Sequence, residues 1–298
     1  MTEAKRAEKK HRNKRRRAAI RHAIFTRAPV RLLGRRFGLQ RAGKDFHAKA
    51  HAIPIDPLPD SLQGLRVTHL SDPHVGELVT PDHLPSIIDA TNDLNGDIIA
   101  VTGDLIDFSN KFLPPVIEAV KRLEAPLGVY FVLGNHDYLD NGAEVKHAFA
   151  SAGLNLLLNQ TTHLKHKGSP ISIGGVDWTE SQRTLARNVR ETCRAMDQVS
   201  HLNILLAHHP HAFDSSQRYG VHLTLSGHTH GGQMILSRKR GKKGSIGLAN
   251  LGFRYTRGLY SRGNSHLFVS SGVGSWFPYR FRCPAEINSL VLGPEQAS

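Results

Sequence analysis

The sequence is short of cysteine, of aromatic residues and of long apolar runs, and each shortage excludes a class. Two cysteines, Cys193 and Cys283, in 298 residues cannot form a disulfide framework, so stability must come from a buried core, and a reducing compartment suits the chain better than an oxidising one. No stretch reaches the ~18–20 apolar residues that span a bilayer. Even the run at 154–158 is interrupted, by Asn155, so the sequence offers no transmembrane helix. Arg35-Arg36-Phe37-Gly38-Leu39 has the start of a twin-arginine export signal, but Gln40, Arg41, Lys44 and Asp45 stand where its apolar core should follow. Aromatic residues make up 7% of the chain with no aromatic-rich stretch, which counts against a stacking platform for single-stranded nucleic acid.

Charge is abundant but unevenly placed. The formal net charge is +14, and of the 39 Lys/Arg, 16 fall in residues 1–44 against only Glu3 and Glu8; residues 45–298 carry 23 of each sign. The basic excess therefore belongs to an appendage, and the remaining body is electrically balanced. Residues 1–17 are nearly continuous charge and are expected to be disordered. From Ala18 to Leu39, Ile20, Ala23, Ile24, Val30, Leu33 and Phe37 recur at helical spacing among arginines, with Pro29 dividing the stretch. Such a segment reads as a surface helix on an anionic membrane, at ~1 kcal/mol per basic residue near the lipid, or as a solvated tail.

The organisation that follows is a basic N-terminal tail over 1–45, a Pro-containing linker over 46–63 and a globular domain over 64–298. In the last, short apolar strands at 65–70, 97–102, 128–133, 154–158, 171–176, 203–207, 222–226, 266–270 and 287–292 alternate with helical stretches at 82–94, 114–124, 142–152, 183–196 and 210–218. Alternation of this kind points to an α/β fold.

Five of these strands are followed at once by hard oxygen or imidazole donors: Asp72-Pro73-His74, Gly103-Asp104-Leu105-Ile106-Asp107, Gly134-Asn135-His136-Asp137, His208-His209-Pro210 and Gly227-His228-Thr229-His230-Gly231-Gly232. Residues beyond the carboxyl ends of sheet strands converge on one crevice. Asp, Asn and neutral His without thiolate suit Mn, Fe or Zn in an open catalytic centre rather than a closed structural zinc site. Gly103, Gly134 and Gly227 each precede a donor, where a missing Cβ eases a sharp turn. With 19 histidines present, single ones such as His83, His147 and His222 carry no such signal.

In these segments the chain resembles, nearly motif for motif, the calcineurin-like metallophosphoesterase superfamily, over about residues 64–292. The stretches Leu205-Leu206-Ala207-His208-His209-Pro210, Gly227–Gln233 and Ser271-Gly272-Val273-Gly274 resemble its bacterial membrane-associated phosphodiesterase subgroup. The resemblance implies a two-sheet sandwich flanked by helices in four α/β/β/α layers. It implies two divalent ions, manganese first with iron or zinc as alternatives. One would be held by Asp72, His74 and His230 and the other by Asn135, His208 and His228, with Asp104 bridging; His209 is the rival to His208. His136 would be the catalytic histidine outside the ligand set and Asp107 the residue orienting it.

The expected reaction is hydrolysis of a phosphodiester or pyrophosphate by a metal-bridging hydroxide, in keeping with what two cations ~3.5–4 Å apart supply. A basic cluster, Arg238, Lys239, Arg240, Lys242 and Lys243, follows the last motif, and Arg280 and Arg282 lie near the C-terminal strand; Arg238, Arg240, Arg280 and Arg282 are candidate phosphate contacts. Tail and resemblance together suggest a lipid-linked substrate such as a UDP-diacylglucosamine-type precursor, met by a cytoplasmic protein peripheral to the inner face of the membrane. A soluble phosphodiesterase or nuclease using the tail for nucleic acid, and a metal-binding interaction scaffold without activity, are the alternatives.

Overall fold

The run Ile98-Ile99-Ala100-Val101 is apolar at every position, and the fold uses both of its faces. Ile98 and Ala100 point into one buried cluster, Ile99 and Val101 into another, the period-two alternation of a strand covered on both sides. The computed structural model describes residues 45–196, 200–238, 245–247, 252–275 and 278–294, with a few single positions between 13 and 28. The tail reading therefore lies almost entirely outside the described residues.

In chain order the strands are β1 (Phe46–Pro54), β2 (Arg66–Leu70), β3 (Ile98–Thr102), β4 (Val129–Val132), β5 (Asn155–Leu156), β6 (Gln160–His166), β7 (Ser169–Val176), β8 (Leu202–Ala207), β9 (Leu223–Ser226), β10 (Ile235–Arg238), β11 (Ser245–Gly247), β12 (Gly258–Arg262), β13 (Ser265–Val269) and β14 (Ala285–Gly293). Among the described residues the helices are α1 (Leu84–Asn92), α2 (Leu113–Val120), α3 (Gly142–Ser151), α4 (Gln182–Arg194) and α5 (Phe213–Ser216). One six-stranded sheet runs β1-β14-β2-β3-β4-β5, the other β12-β13-β9-β8-β7-β6, and β10 and β11 form a separate hairpin. Both six-stranded sheets are mixed: β2, β3, β4 and β5 are parallel while β14 runs antiparallel to β2, and β7, β8, β9 and β13 are parallel while β6 and β12 run antiparallel to their neighbours.

Between the sheets, Val67, Ile98, Tyr130 and Val132 of the first meet Ile173, Ile204, Leu206, Leu225 and Phe268 of the second. On the outer face of the first sheet Ile99, Val101 and Phe131 pack against Ile87 and Ile88 of α1, Val116 and Val120 of α2 and Phe149 of α3. On the outer face of the second, Leu205 and Ala207 meet Leu185, Val189 and Cys193 of α4. The result is the expected sandwich of two sheets between helical layers. Phe131 is fully buried and edge-on to Phe149 at 5.2 Å; truncating such a ring costs ~3–5 kcal/mol.

Helix starts follow local chemistry. Thr80 and His83 form a capping box ahead of α1, Pro114 and Pro115 sit in the first turn of α2, and Ser181 accepts from the Thr184 amide at 3.2 Å to open α4. The stretch read as a helix over 210–218 is a 3-10 turn, Pro210–Ala212, followed by the single turn of α5, and the strand expected over 154–158 shrinks to two residues. The segment read as linker begins with a nine-residue strand, β1, which pairs in parallel with β14 from Phe46↔Ala285 to Pro54↔Gly293. Its apolar positions are mostly alanine, too weak a signal to stand out. Polar cross-strand contacts join it to β14 instead: Lys49 to Glu286 at 2.8 Å and His51 to Asn288 at 3.0 Å.

Candidate metal centre

The five donor segments come from two sheets rather than one. β2, β3 and β4 deliver Asp72 and His74, Asp104 and Asp107, and Asn135 and His136; β8 and β9 of the facing sheet deliver His208, His228 and His230. The crevice thus lies where the ends of both sheets meet. Backbone bonds lace the loops: the amides of Asp72 and His74 donate to the carbonyls of Gly103 and Asp104 at 3.1 and 3.0 Å, and Gly227 donates to the His208 carbonyl at 3.2 Å.

Asp72, His74, Asp104, His228 and His230 all have left-handed backbone, with φ between 49° and 71°. Non-glycine residues seldom adopt it, though Asp and His tolerate it better than most. Of the three glycines before donors, only Gly103 has this conformation, at φ 87°. Gly134 and Gly227 serve differently: a Cβ on either would strike a carboxylate oxygen, of Asp104 or of Asp72.

Two groups of ligand-type atoms form the centre, Asp72 with His74 and His230, and Asp104 with His208 and His228, beside a third at the rim, Asp107 with His136, that shares His74 with the first. In the first, His74 Nε2 and His230 Nε2 lie 3.0 Å apart, and Asp72 Oδ1 is 3.3 Å from His230 Nε2. In the second, His208 Nε2 is 3.2 Å from His228 Nδ1 and 3.2 Å from Asn135 Oδ1. One oxygen touches both groups: Asp104 Oδ2 is 3.4 Å from His74 Nε2 and 3.2 Å from His208 Nε2. The other Asp104 oxygen accepts from the His136 amide at 2.7 Å, which fixes the carboxylate between the groups.

The donor set fits a cation. His208 Nδ1 faces the Thr102 carbonyl at 2.7 Å, so it carries the proton and a neutral ring turns an unprotonated Nε2 inward. There it meets only oxygens of Asn135 and Asp104 and a ring nitrogen of His228. A convergence of lone pairs is stable only when a positive charge, a proton or a metal, lies among them. The arrangement is that of a dinuclear metal centre in a phosphoesterase active site.

The calcineurin-like phosphoesterase family model matches residues 65–232, which takes in all five donor segments and more than half of the chain. The chain belongs to that family. Among curated relatives it is 33% identical over 273 residues to a "Transmembrane protein with metallophosphoesterase domain" of Danio rerio, covering 86% of this chain and 59% of that protein. It is 32% identical over 253 residues to an uncharacterized metallophosphoesterase, YkuE, of Bacillus subtilis (strain 168), covering 81% and 84%. A putative metallophosphoesterase of Caenorhabditis elegans is 30% identical over 256 residues, 81% of this chain and 51% of that one. The chain thus spans little more than half the length of two of these relatives. Among solved structures, that of a dimetal phosphatase from Danio rerio aligns with TM-score 0.45 and 12% identity over 74% of this chain and 94% of that one.

Electrostatics divide the histidines of this calcineurin-like site. Burial, aided by the charges of His208 on one and of His74 and Arg280 on the other, holds His228 and His230 well below the ordinary imidazole range, so both are neutral. Burial also disfavours charge on His208 and His136, but Asp104 outweighs it, with hydrogen bonds to Asp104 and Asp107 respectively, and each rises to about 9 without metal. Burial pushes Asp72 up, whereas at Asp104 the facing His208 and His136 overcome burial and hold the carboxyl well below its usual range.

His136 lies at the rim, its side chain 25% exposed. Its Nδ1 is 2.5 Å from the Asp107 carbonyl and 3.3 Å from that residue's Oδ1. The same Oδ1 is 3.3 Å from His74 Nδ1, so Asp107 steers two imidazoles where the sequence reading gave it one. Asp137, quoted in its motif but given no role, is the hub of the loops: its carboxylate accepts the amides of Asp104, Leu105, Ile106 and Gly134 at 2.8–3.2 Å. Its place next to the histidine of a Gly-Asn-His-Asp turn was the only available signal.

His208, not His209, enters the metal cluster. His209 accepts from the His211 amide at 3.2 Å and stacks on Trp178 at 5.8 Å. Trp178, which sequence reasoning passed over, also packs its ring 5.7 Å from His208 and 5.2 Å from His228. Arg280 departs from the expectation of a phosphate contact. Its guanidinium is committed to the protein behind His230, donating to Ser275 Oγ at 2.9 Å and to the carbonyls of Ser271 and Cys283 at 2.8 and 3.2 Å. Arg282 lies exposed across the Phe281 ring, Arg238 belongs to the backbone of β10, and Arg240 falls outside the described residues. His83, His147 and His222 take no part in the centre: His83 and His222 accept the amides of Thr80 and Asn203, and His147 is exposed on α3.

Proposed function

We propose that this calcineurin-like phosphoesterase hydrolyses a phosphodiester or pyrophosphate bond of a lipid-linked substrate, working at an anionic membrane surface as a member of the membrane-associated phosphodiesterase subgroup. The observation that carries the reading of the reaction is the single Asp104 oxygen lying between two imidazole-carboxylate groups, with one partly exposed histidine at their rim. Asp72, His74 and His230 would hold one ion, Asn135, His208 and His228 the other, with Asp104 shared; manganese is the expected metal. Two such ions, when bound, lower the pKa of a water and clamp phosphoryl oxygens.

The protein's own residues supply the rest. His136, turned by Asp107 so that Nδ1 faces the chain, presents Nε2 to the substrate, where it stabilises the equatorial oxygens or protonates the departing alkoxide. Asp137 keeps the loops of Asp104 and Asn135 in register, and Arg280 keeps a positive charge behind His230, which favours the neutral ring. No nucleophilic side chain is needed. The membrane reading is supported by the basic amphipathic pattern at 18–39, by the basic cluster after the last motif and by the likeness to the Danio rerio relative described as a transmembrane protein. Among the described residues no helix is long and apolar enough to cross a bilayer; in this reading the basic tail holds the protein peripherally on the cytoplasmic face.

The test is hydrolysis of bis(p-nitrophenyl) phosphate against p-nitrophenyl phosphate by metal-stripped protein after addition of Mn²⁺, beside Asp104→Ala. Diesterase activity that needs metal and vanishes in the variant is expected. A preference for the monoester would sink the diester assignment, and no turnover of either with two ions bound would favour a non-catalytic scaffold.

A further inference from the structure

Helix α4 carries arginine at 183, 187, 190 and 194, steps of four, three and four that place all of them on one stripe. The opposite face, with Leu185, Val189 and Cys193, is buried against the second sheet. Arg183, Arg187 and Arg190 face Arg218, Ser215 and Tyr219, from α5 and the turn after it, across a surface cavity of about 570 Å³. Among the described residues none of these four guanidinia has a carboxylate within ion-pairing distance. Asp214, the acid nearest Arg218 in sequence, is taken by Tyr255 at 2.8 Å and Arg254 at 3.2 Å.

This arrangement works against the helix that bears it. Like charges three and four residues apart repel, and Arg183 sits in the first turn, where the helix dipole disfavours a cation; Glu191, four residues after Arg187, and the last-turn place of Arg194 offset this only in part. The body from residue 45 onward has equal numbers of acidic and basic residues, so the cluster is not part of a generally basic surface. Guanidinium forks match the geometry of phosphate oxygens, and a ligand with several of them would relieve the repulsion. We propose that this cavity is a binding site for a multiply charged phosphate ligand, distinct from the metal centre. Both of its walls lead directly out of that centre: α4 begins four residues after Trp178 and α5 five residues after His208. The site stands whether or not the metal centre hydrolyses esters.

The ligand's phosphates could belong to a soluble diphosphate or to a lipid headgroup, and two arms separate these sources. Full-length, metal-loaded protein is compared with Arg187→Gln/Arg190→Gln/Arg218→Gln and with a control of equal charge, Arg66→Gln/Lys165→Gln/Lys167→Gln, whose positions are exposed elsewhere. One arm measures calorimetric binding of methylenediphosphonate, the other cosedimentation with phosphatidic acid/phosphatidylcholine vesicles. The metal centre and the basic tail are common to all three proteins, so the differences read the cavity alone.

A loss of at least about tenfold in the cavity variant, against less than about twofold in the control, is expected in one arm. Loss with diphosphonate identifies a soluble ligand, and loss confined to vesicles a headgroup. Equal losses in both variants, or none in the cavity variant in either arm, overturn the proposal. Thermal melting should show the cavity variant at least as stable as the parent, since repulsion is relieved. If it melts lower, Arg187→Lys/Arg190→Lys/Arg218→Lys, which keeps the charge and loses the fork, must itself weaken binding for the proposal to stand.

Discussion

Replacing Glu286 by glutamine removes one negative charge from a buried junction of three segments. The carboxylate is 2% exposed and lies 2.8 Å from Lys49 Nζ on β1 and 2.8 Å from the Arg257 guanidinium, and it accepts the Ser271 amide at 3.1 Å. Burial alone would raise its pKa, but Arg257 and Lys49 outweigh burial and bring it from 4.5 to about 2. A shift of this size corresponds to ~3 kcal/mol of folding stability at pH 7. Leaving Arg257 half-buried without its partner independently gives ~3–5 kcal/mol. Because the folded-state pKa is depressed, the contribution is complete above pH 4.5 and lost as pH falls through about 2; roughly half should remain at pH 3. Urea unfolding of metal-free wild type and Glu286→Gln at pH 7 and pH 3 measures both, and taking the difference cancels titration elsewhere. A gap below about 1 kcal/mol at pH 7, or one that does not shrink by pH 3, would refute the assignment of this charge as the tie between β1, Arg257 and the Ser271 loop.

His136→Ala should keep two bound ions per chain by elemental analysis while kcat falls by ~10²–10⁴; unchanged turnover removes His136 from the mechanism. His208→Ala should lose an ion and His209→Ala should keep both, and the reverse result would exchange their roles. In the metal-free centre His208 is pushed up to about 9, so at pH 7 a proton occupies a ligand position and must leave when metal binds. Metal affinity should therefore rise with pH by about tenfold per unit up to that value. Calorimetry in two buffers of different ionisation enthalpy reads the released proton, and an enthalpy independent of buffer would contradict it.

The metal centre was legible because it is chemistry at strand ends: Asp, Asn, His and Gly interrupt apolar runs abruptly, and the runs themselves, β2, β3, β8 and β9, lie inside sheets and are covered on both sides. What escaped the sequence reading lies largely at sheet edges. β1, β6 and β12 each bound a six-stranded sheet; with a neighbour on one side only, β6 needs just Leu164 among Gln160, Thr161, Thr162, His163, Lys165 and His166, and β1 leaves its three alanines exposed and packs only Phe46 and Ile53 among its apolar side chains. β5, the remaining edge, was found but overestimated in length. Asp137 and Arg280 escaped for another reason. Their partners are mostly backbone amides and carbonyls, which every sequence contains, so nothing in the residue pattern distinguishes a carboxylate that ties loops together from one in a turn. Trp178 acts by contact with rings brought from β8 and β9, which only the fold supplies.

The left-handed backbone at Asp72, His74, Asp104, His228 and His230 has a consequence for how this molecule can be altered. Glycine at any of these positions would relax the chain, on the order of 1 kcal/mol at each, and would delete a donor in the same stroke. A selection for thermal resistance of the metal-free chain would therefore drift toward robust proteins unable to hold ions, while a selection for metal retention would keep the tension in place. Heat tolerance of the empty chain and hold on the ions are opposed at the same five residues, and improvement in both at once has to be sought elsewhere in the sandwich.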